Sequence, residues 1–443
     1  MTGLVSNKIS GLNGFARVPG DKSISHRSLM FGALASGETT VTGLLEGEDV
    51  FRTAKALMVM GVSISSPDAK NDLWRIRGMG ETPLRAPASA LDLGNSGTSA
   101  RLLMGLVAGY PVSASFTGDD SLSRRPMGRV IRPLEQMGAR FEMSVEDRLP
   151  LRITGSAALR PIHYLMPVAS AQVKSAILLA GLHAHGKTTV TEPQPTRDHT
   201  ERMLEFFGAR VMSETQPDGS CSVTLEGGQE LTGRNVVVPS DPSSAAFLTV
   251  AALITEDSDI VIPNVLMNPR RTGLYDTLIE MGADISFENA NDEQGEPVAD
   301  IRVRSSVLKG VRVPPRRVPS MIDEFPILSV AAAFADGDTV MTDLAELRVK
   351  ESDRLAAIAK GLAAAGVKAD MGKDSLTVHG CGRDVKGGCT VETNLDHRIA
   401  MFFLILGLAS RSPVTVDNAK TIATSFPDFA ALLNGLGARI GAA

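Results

Sequence analysis

The chain has 443 residues, of which 43% are hydrophobic and 21% are charged, which predicts a globular protein of two or three domains. Its net charge of −5 gives no reason to expect nucleic-acid binding. The longest apolar run, Ile399–Ala409, is too short to span a bilayer, and the first residues lack the pattern of a signal peptide, so we expect a cytoplasmic location.

The first predicted helix begins within the stretch PGDKSISHRS, Pro19–Ser28. Ser23 or Ser25 is predicted to cap it. Lys22 and Arg27 place positive charge at a helix N-terminus, which is unfavourable unless an anion lies between them. Two interpretations therefore stay open for these residues: a bound anion, or a solvated basic cap.

Six helical patterns end in the same tag, an apolar residue followed by Gly and then Ala or Val. The tags recur every 70 to 84 residues, and their glycines are Gly61, Gly138, Gly208, Gly282, Gly366 and Gly437. Each glycine suits the left-handed position after a helix, and a strand-like segment follows most of them. The tags therefore predict six repeats.

Each repeat also contains an earlier helix of small apolar residues, which should be buried because it is apolar nearly all round. These helices align at intervals of 72 to 80 residues on Ser23, Thr98, Gln172, Ser244, Glu324 and His397. The pattern predicts an α/β protein of two domains with three helix-and-strand repeats each, rather than a solenoid, since no capping repeats stand out. We place one domain at residues 20–240 and the other at residues 1–19 with 241–443.

Charged and polar residues collect at the starts of these helices, although the protein as a whole is acidic. The first helices contribute Lys22, Arg27, Arg101, Gln172, Asp323, Glu324, Asp396, His397 and Arg398. The second helices, one of which should have Pro126 in its first turn, contribute Arg124, Arg125, Arg197, Arg270, Arg271, Lys350, Glu351, Asp353 and Arg354. If these starts converge on one cleft, they form a site for small anions that carry phosphate and carboxylate groups.

Asp323 and Glu351 are the acidic exceptions that stand out in this basic set. In a cationic cleft the pKa of a carboxyl falls, which suits a base better than an acid. The sequence contains no P-loop, dinucleotide fingerprint or histidine metal motif. Its three cysteines have no CxxC spacing, so neither a zinc site nor a disulfide framework is expected at Cys221, Cys381 and Cys389.

Motifs along the whole chain resemble those of the enolpyruvyl transferases. Besides PGDKSISHRS they are LGNSGTSAR, SRRPMGRV, SAQVKSAILLAGL, TRDHTE, DEFPILSVAAA, LRVKESDRL, DHRIAM and TSFPDF. Within the family they are most similar to the bacterial class II branch that acts on shikimate 3-phosphate. The resemblance implies an inverse α/β fold of two domains, whose helix N-termini face an interdomain cleft that closes over the substrates.

The resemblance also implies transfer of the enolpyruvyl group of phosphoenolpyruvate to the 5-hydroxyl of shikimate 3-phosphate, with release of phosphate. This is a step of the shikimate pathway toward chorismate and the aromatic amino acids. No cofactor or metal is implied, and we expect a monomer. By motif, the residues that hold shikimate 3-phosphate would be Lys22, Ser23, Arg27, Ser170, Ala171, Gln172, Arg197, Asp323 and Lys350. Those that hold phosphoenolpyruvate would be Lys22, Gly97, Arg125, Gln172, Arg354 and Arg398.

Two carboxyls have predicted roles in this chemistry. Asp323 is the predicted base for the 5-hydroxyl, and Glu351 is the predicted acid for the methylene carbon, with Lys22 as the alternative donor. Their surroundings must then separate their pKa values. The charge of a tetrahedral intermediate would be balanced by Lys22, Arg125, Arg354 and Arg398.

Three positions bear on how closely the chain follows the family pattern. Thr424 stands where many relatives have a Lys before the final motif, and Lys420 is out of register with it. Ala171 replaces a Ser, so only its backbone is expected to bind. Gly97 replaces the Ala with which some class II relatives crowd the inhibitor glyphosate, which implies that glyphosate inhibits this chain.

Two other functions remain open. Enolpyruvyl transfer to a UDP-amino sugar uses the same fold, but that relative has Lys-Asn in place of Lys22–Ser23 and a loop cysteine, for which this chain has no comparable motif. The second alternative is a non-catalytic anion-binding repeat protein, against which the presence of Asp323 and Glu351 argues.

Overall fold

A computed structural model of the chain describes residues 3–67 and 73–443. By its internal contacts the chain divides into two compact units. The first unit is Gly20–Val238, and the second unit is Met1–Pro19 together with Pro239–Ala443. The N-terminal segment gives the second unit two short strands, β1 (Leu4–Ser6) and β2 (Asn13–Phe15).

The first unit alternates helices and strands in three repeats. Its helices are α1 (Lys22–Leu34), α2 (Glu48–Val59), α3 (Gly97–Ala108), α4 (Asp120–Arg124), α5 (Gly128–Met137), α6 (Ala171–Gly181) and α7 (His199–Phe206). Its strands are β3 (Glu38–Thr42), β4 (Ser63–Ser65), β5 (Trp74–Arg77), β6 (Leu91–Asp92), β7 (Ser113–Thr117), β8 (Arg140–Met143), β9 (Leu151–Thr154), β10 (His163–Leu165), β11 (Lys187–Glu192), β12 (Val211–Thr215), β13 (Cys221–Glu226) and β14 (Asn235–Val237).

The strands of the first unit form sheets of one recurring design, β14-β3-β5-β4, β6-β7-β9-β8 and β10-β11-β13-β12. In each sheet the first strand in this order pairs in parallel with the second, and the remaining pairs are antiparallel. Because β14 comes from the end of the unit and pairs with β3 near its start, the last repeat closes onto the first.

The second unit repeats the design after β2. Its helices are α8 (Pro242–Ile254), α9 (Gly273–Glu280), α10 (Phe325–Ala333), α11 (Arg354–Ala364), α12 (His397–Gly407) and α13 (Phe429–Gly435), with 3-10 turns at Pro315–Ser320, Ala345–Val349 and Lys420–Thr424. Its further strands are β15 (Asp259–Leu266), β16 (Asp284–Glu293), β17 (Glu296–Arg304), β18 (Asp338–Met341), β19 (Ala369–Met371), β20 (Leu376–His379), β21 (Thr390–Val391), β22 (Val414–Val416) and β23 (Ile440–Ala442).

The N-terminal segment completes two of the three sheets in the second unit, which are β2-β15-β17-β16, β18-β20-β19 and β21-β22-β1-β23. Strand β2 supplies the parallel edge of one sheet, and β1 lies between β22 and β23 in another. The first residues of the chain therefore belong to the same unit as its last residues.

The repeats predicted from the glycine tags are confirmed. All six tag glycines have positive φ, from 81° to 115°, as a left-handed position after a helix requires. The six apolar helices begin within two residues of the aligned positions, and they are buried as expected: every residue of α8 and of α10 is buried. The longest helices have 13 residues, and none among the described residues has the length and apolar character needed to cross a membrane.

Close packing of α3 on α6 aligns two of the helix starts in the first unit. At the contact, a Cβ on Gly105 would lie 2.2 Å from the carbonyl oxygen of Ala176, so only glycine permits this approach. The N-termini of the two helices carry Gly97 and Gln172, which are both predicted ligands of the substrates.

Two local predictions are wrong. The side chain that caps α1 is Asp21, whose carboxylate accepts from the backbone N–H of Ile24 at 2.8 Å. Ser25 instead donates to the carbonyl of Asp21, and Ser23 does not cap the helix. Pro126 is not in the first turn of a helix, because the short helix α4 precedes it and α5 begins only at Gly128.

A histidine in the first unit makes stability depend on pH. His183 packs on the ring of Tyr110, with 4.5 Å between ring centroids, and burial lowers the pKa of His183 to about 4. The unfolded chain binds a proton there below about pH 6.5, whereas the folded chain does not until about pH 4. This group therefore removes stability as the pH falls from about 6.5 to 4, by up to about 3 kcal/mol.

We expect His183→Phe to flatten the dependence of unfolding free energy on pH in that interval, because phenylalanine can keep the ring contact but takes up no proton. Urea unfolding at a series of pH values measures both slopes. Equal slopes for the two proteins would contradict the prediction.

Candidate functional site

The start of α1 lies against the start of α2 through an ion pair. The ammonium group of Lys22 contacts the carboxylate of Asp49, which is buried, while the Lys22 side chain is 22% exposed. The basic cap read from the sequence is therefore neither free nor simply solvated. It is an internal pair that keeps part of the lysine accessible to a ligand.

Arg27 joins the starts of three helices. Its guanidinium is buried and donates to the Oγ1 of Thr200 on α7 at 2.7 Å and to the Oγ of Ser175 on α6 at 2.7 Å. A third hydrogen bond, of 3.0 Å, reaches the carbonyl oxygen of Ser23 within α1. Arg27 thereby fixes α1, α6 and α7 relative to one another.

His26 lies in the same turn of α1 and is buried. Its Nδ1 is 2.8 Å from the Oγ1 of Thr53, which in turn is 2.7 Å from the Oγ of Ser99. Burial, and then the charges of Lys22 and Arg27, lower the pKa of His26 well below its usual value. The imidazole is therefore neutral at pH 7 and adds no charge to this part of the unit.

A second arginine, Arg101, connects the starts of α3 and α6. It donates to the Oε1 of Gln172 at 2.8 Å, and Gln172 donates to the Oγ1 of Thr98 at 2.9 Å. Gly97 lies directly against this group: a Cβ there would be 2.9 Å from a terminal nitrogen of Arg101 and 3.1 Å from one of Arg125. The structure thus brings three predicted ligands, Gly97, Arg125 and Gln172, around Arg101.

Arg125 is held at the C-terminal end of α4 rather than at the start of α5. Its buried guanidinium donates to the side-chain oxygen of Asn95 at 2.6 Å and to the Oγ of Ser121 at 3.2 Å. Arg124, its neighbour in the motif, is exposed. The structure therefore separates the roles of two arginines that the motif alone could not tell apart.

Three further predicted ligands border α6 and α7. Ser170 caps α6 and accepts from the backbone N–H of Val173, which leaves the half-buried Ala171 as the first residue of that helix. Arg197 is half-buried and lies two residues before α7 begins.

In the second unit the predicted residues form one cluster around Arg354. Its guanidinium, 1% exposed, pairs with both oxygens of Asp396, at 2.9 and 3.2 Å. It also lies 3.2 Å from the Oδ1 of Asp323 and 2.5 Å from the Oε2 of Glu351. Burial would lower the pKa of Arg354, but the three carboxylates outweigh it and raise the pKa above its usual value. Arg354 is therefore a permanent positive charge that holds both predicted catalytic carboxylates.

Two more accessible cations border the same cluster. The ammonium group of Lys350 lies 3.2 Å from the Oδ1 of Asp323, and its side chain is 26% exposed. Arg398 donates to the backbone carbonyl of Asp323 at 3.1 Å and lies 3.7 Å from the buried carboxylate of Glu324, which also accepts from Ser243. Asp323 itself, 13% exposed, is thus surrounded by cations on several sides.

The end of the second unit has Thr424 at the position where the family pattern has a lysine. Thr424 is buried and donates to the carbonyl oxygen of Thr421 at 2.7 Å, whereas Lys420 is exposed at the start of a 3-10 turn. No disulfide joins Cys221, Cys381 and Cys389.

The predicted site residues fall into two groups, one in each unit. The first unit holds Lys22, Ser23, Arg27, Gly97, Arg125, Ser170, Ala171, Gln172 and Arg197, and the second holds Asp323, Lys350, Glu351, Arg354 and Arg398. Sequence reasoning missed the partners that orient these residues, chiefly Asp49, Asn95 and Asp396. Two of them had a signal: Asp396 stands at a repeated helix start, and Asn95 lies in the motif LGNSGTSAR.

The chain is similar to one protein family and to proteins of known name. The family model for EPSP synthase (3-phosphoshikimate 1-carboxyvinyltransferase) matches residues 6–433. A protein of Paramagnetospirillum magneticum named 3-phosphoshikimate 1-carboxyvinyltransferase is 60% identical over 437 residues, which cover 99% of this chain and 98% of the relative. A protein of the same name from Chelativorans sp. is 58% identical, over 98% of this chain and 97% of its own.

A solved structure of EPSP synthase from Acinetobacter baumannii superposes with a TM-score of 0.87 at 47% sequence identity, and it covers both chains completely. The repeated α/β fold predicted from the sequence is thereby confirmed. So is the resemblance seen in the motifs, because the family model extends over nearly the whole chain and therefore over both groups of site residues. The chain belongs to the EPSP synthase family.

Proposed function

We propose that this chain transfers the enolpyruvyl group of phosphoenolpyruvate to the 5-hydroxyl of shikimate 3-phosphate and releases phosphate, as the names of its relatives state for them. The observation that carries the proposal is the cluster around Arg354. There, a partly accessible carboxylate, Asp323, lies against two cations and beside a second carboxylate, Glu351. A base on a cationic background suits deprotonation of a hydroxyl next to an anionic substrate.

The proposed reaction has two steps. In the addition, Asp323 takes the proton of the 5-hydroxyl, and the oxygen forms a bond to C2 of phosphoenolpyruvate. Glu351, or Lys22 as the alternative donor, gives a proton to the methylene carbon, which becomes a methyl group. In the elimination, the methyl group returns a proton to Glu351 or Lys22 and the double bond re-forms. The bond from C2 to the phosphate oxygen breaks, and the departing phosphate takes up the proton that Asp323 held. The number of protons is therefore balanced over the two steps.

The binding groups are proposed as the motifs imply. Shikimate 3-phosphate is held by Lys22, Ser23, Arg27, Ser170, Ala171, Gln172, Arg197, Asp323 and Lys350, and phosphoenolpyruvate by Lys22, Gly97, Arg125, Gln172, Arg354 and Arg398. Arg398 is better suited than Arg354 to bind phosphoenolpyruvate directly, because its side chain is more exposed. The Arg354 side chain is almost fully buried, and its donors contact three carboxylates. A second role of Arg354 is to hold the carboxylates of Asp323 and Glu351 in place.

The test is release of inorganic phosphate from phosphoenolpyruvate in the presence of shikimate 3-phosphate. We expect release that requires both substrates and gives one phosphate for each enolpyruvyl group transferred. Release with a UDP-amino sugar instead would support the alternative acceptor, and no release with either acceptor would support the non-catalytic alternative.

Assembly and location follow as finer parts of the proposal. A monomer is proposed as the active species, and a molecular mass near 46.8 kDa in solution would test it. A cytoplasmic location is also proposed, and cell fractionation would test it.

Gly97→Ala is expected to raise the KM for phosphoenolpyruvate by several-fold. The new methyl group would stand 2.9 Å from Arg101 and 3.1 Å from Arg125, which is tighter than van der Waals contact, so both guanidinium groups must move. Steady-state kinetics with varied phosphoenolpyruvate measures the change.

The same experiment tests the proposed sensitivity to glyphosate. The wild-type chain should be inhibited, and Gly97→Ala should need a higher glyphosate concentration for half-inhibition because the methyl group takes space beside the two arginines. Gly435→Ala is the control, since a Cβ there meets no atom within 4 Å. A wild-type chain that works at full rate in millimolar glyphosate would refute the sensitivity.

A further inference from the structure

The loop that carries Arg197 is anchored by a buried ion cluster in the first unit. Lys174 on α6 is 1% exposed, and its Nζ lies 2.9 Å from Glu192 at the end of β11 and 2.7 Å from Glu201 on α7. Burial lowers the pKa of Lys174, but Glu201 and Glu192 outweigh it and raise the pKa above its usual value. The cluster therefore stays charged, and it joins a strand end to two helices.

Glu192 connects this cluster to the loop that follows it. One carboxylate oxygen accepts from the backbone N–H of Thr196 at 3.0 Å, and the other accepts from the Thr196 hydroxyl at 2.6 Å. Thr196 is buried although Pro193 and Gln194 in the same loop are exposed. Thr196 therefore connects the loop to Glu192 by two hydrogen bonds, directly before Arg197.

Arg27 lies beside this cluster. Arg27 donates to Ser175 and Thr200, which are the chain neighbours of Lys174 and Glu201. A buried ion pair stabilises a fold little compared with apolar residues of the same size, so stability alone does not account for this cluster.

We propose that Lys174, Glu192 and Thr196 are positioning residues that fix Arg197 for binding of the phosphorylated acceptor. The inference rests on the proposed function, because it takes Arg197 as a ligand of shikimate 3-phosphate. A fixed loop lets Arg197 meet its ligand without first losing conformational freedom, which raises affinity for the acceptor in particular. Lys174 and the carboxylates need not touch either substrate.

The test uses Thr196→Val, because Lys174→Met would leave two carboxylates buried beside no lysine and destabilise the whole unit. Valine keeps the size of threonine and removes only the hydroxyl that donates to Glu192. We expect the KM for shikimate 3-phosphate to rise about tenfold, because a hydrogen bond to a buried charge is lost, while kcat and the KM for phosphoenolpyruvate change less than about twofold. Amide hydrogen exchange in peptides covering 193–198 should become faster.

Thr188→Val is the matched control. Thr188 lies in the same strand as Glu192 and is buried, and its hydroxyl has no hydrogen-bond partner among the described residues. All kinetic constants and the exchange at 193–198 should therefore stay at wild-type values. If Thr196→Val also leaves the exchange unchanged, or if Thr188→Val changes it equally, the anchor is refuted.

Arg197→Ala separates the inference from the function on which it rests. A higher KM for shikimate 3-phosphate in both Arg197→Ala and Thr196→Val supports the inference. A higher KM in Arg197→Ala alone overturns it, because Arg197 then binds without the anchor. Wild-type KM in both variants, with faster exchange in Thr196→Val, upholds the anchor but overturns the role of Arg197 as a ligand.

Discussion

Asp323→Asn is expected to lower kcat roughly 100- to 10,000-fold, the range that a positioned general base contributes. Asparagine keeps the size of the side chain and still accepts a hydrogen bond, but it takes no proton from the 5-hydroxyl. Arg354 keeps its pairing with Asp396 and its contact with Glu351, so the cluster loses one carboxylate charge rather than its framework. Single-turnover kinetics with both substrates measures the effect on chemistry.

Binding and fold provide the controls for this variant. Calorimetric titration with shikimate 3-phosphate should show affinity within about tenfold of wild type, because most of the proposed ligands of that substrate remain. Asp338→Asn removes an exposed carboxylate of the same unit, which pairs with His379, and should leave kcat unchanged. Normal turnover of Asp323→Asn would refute the assignment of Asp323 as the general base.

The repeats were predictable because each leaves two marks that depend only on local chemistry. The left-handed position after a helix favours glycine, and a buried helix requires apolar residues on all its faces. Both marks can therefore be recognised in the amino-acid sequence. The errors arose where two local signals compete. Asp21 and Ser23 are both good caps, and the carboxylate of Asp21 is the one that accepts from the helix. Pro126 suits a first turn, but α4 ends just before it.

The cationic residues of the site could be predicted from the sequence, but the residues that pair with them could not. Lys22, Arg125 and Arg354 stand in motifs, but the residues that orient them are distant in sequence, so the motifs do not show which residues pair. The pairing of Lys22 with Asp49, 27 positions away and in another helix, depends on how α1 packs on α2. Residues that meet only through tertiary packing leave no periodic or local pattern to read.

Lys22→Met is expected to lower kcat/KM by at least about 1,000-fold, because Lys22 is the side chain proposed to touch both substrates and to balance charge in the intermediate. KM should rise for both substrates, in contrast to the selective effect expected at Thr196. Lys55→Met is the matched control: Lys55 is an exposed lysine on α2, and its loss should leave kcat/KM unchanged.

Stability is expected to fall only slightly in Lys22→Met, by about 1 kcal/mol, because the partner Asp49 is buried but the lysine side chain is partly solvated. Some stability is lost because removal of the lysine takes a positive charge from beside a buried carboxylate. Lys22→Arg keeps that charge, so it should restore the stability. It should restore little of the activity, because a planar guanidinium cannot replace a compact ammonium group between two anionic ligands. Recovery of full activity in Lys22→Arg would show that charge alone, and not the geometry of the ammonium group, is what the reaction needs at this position.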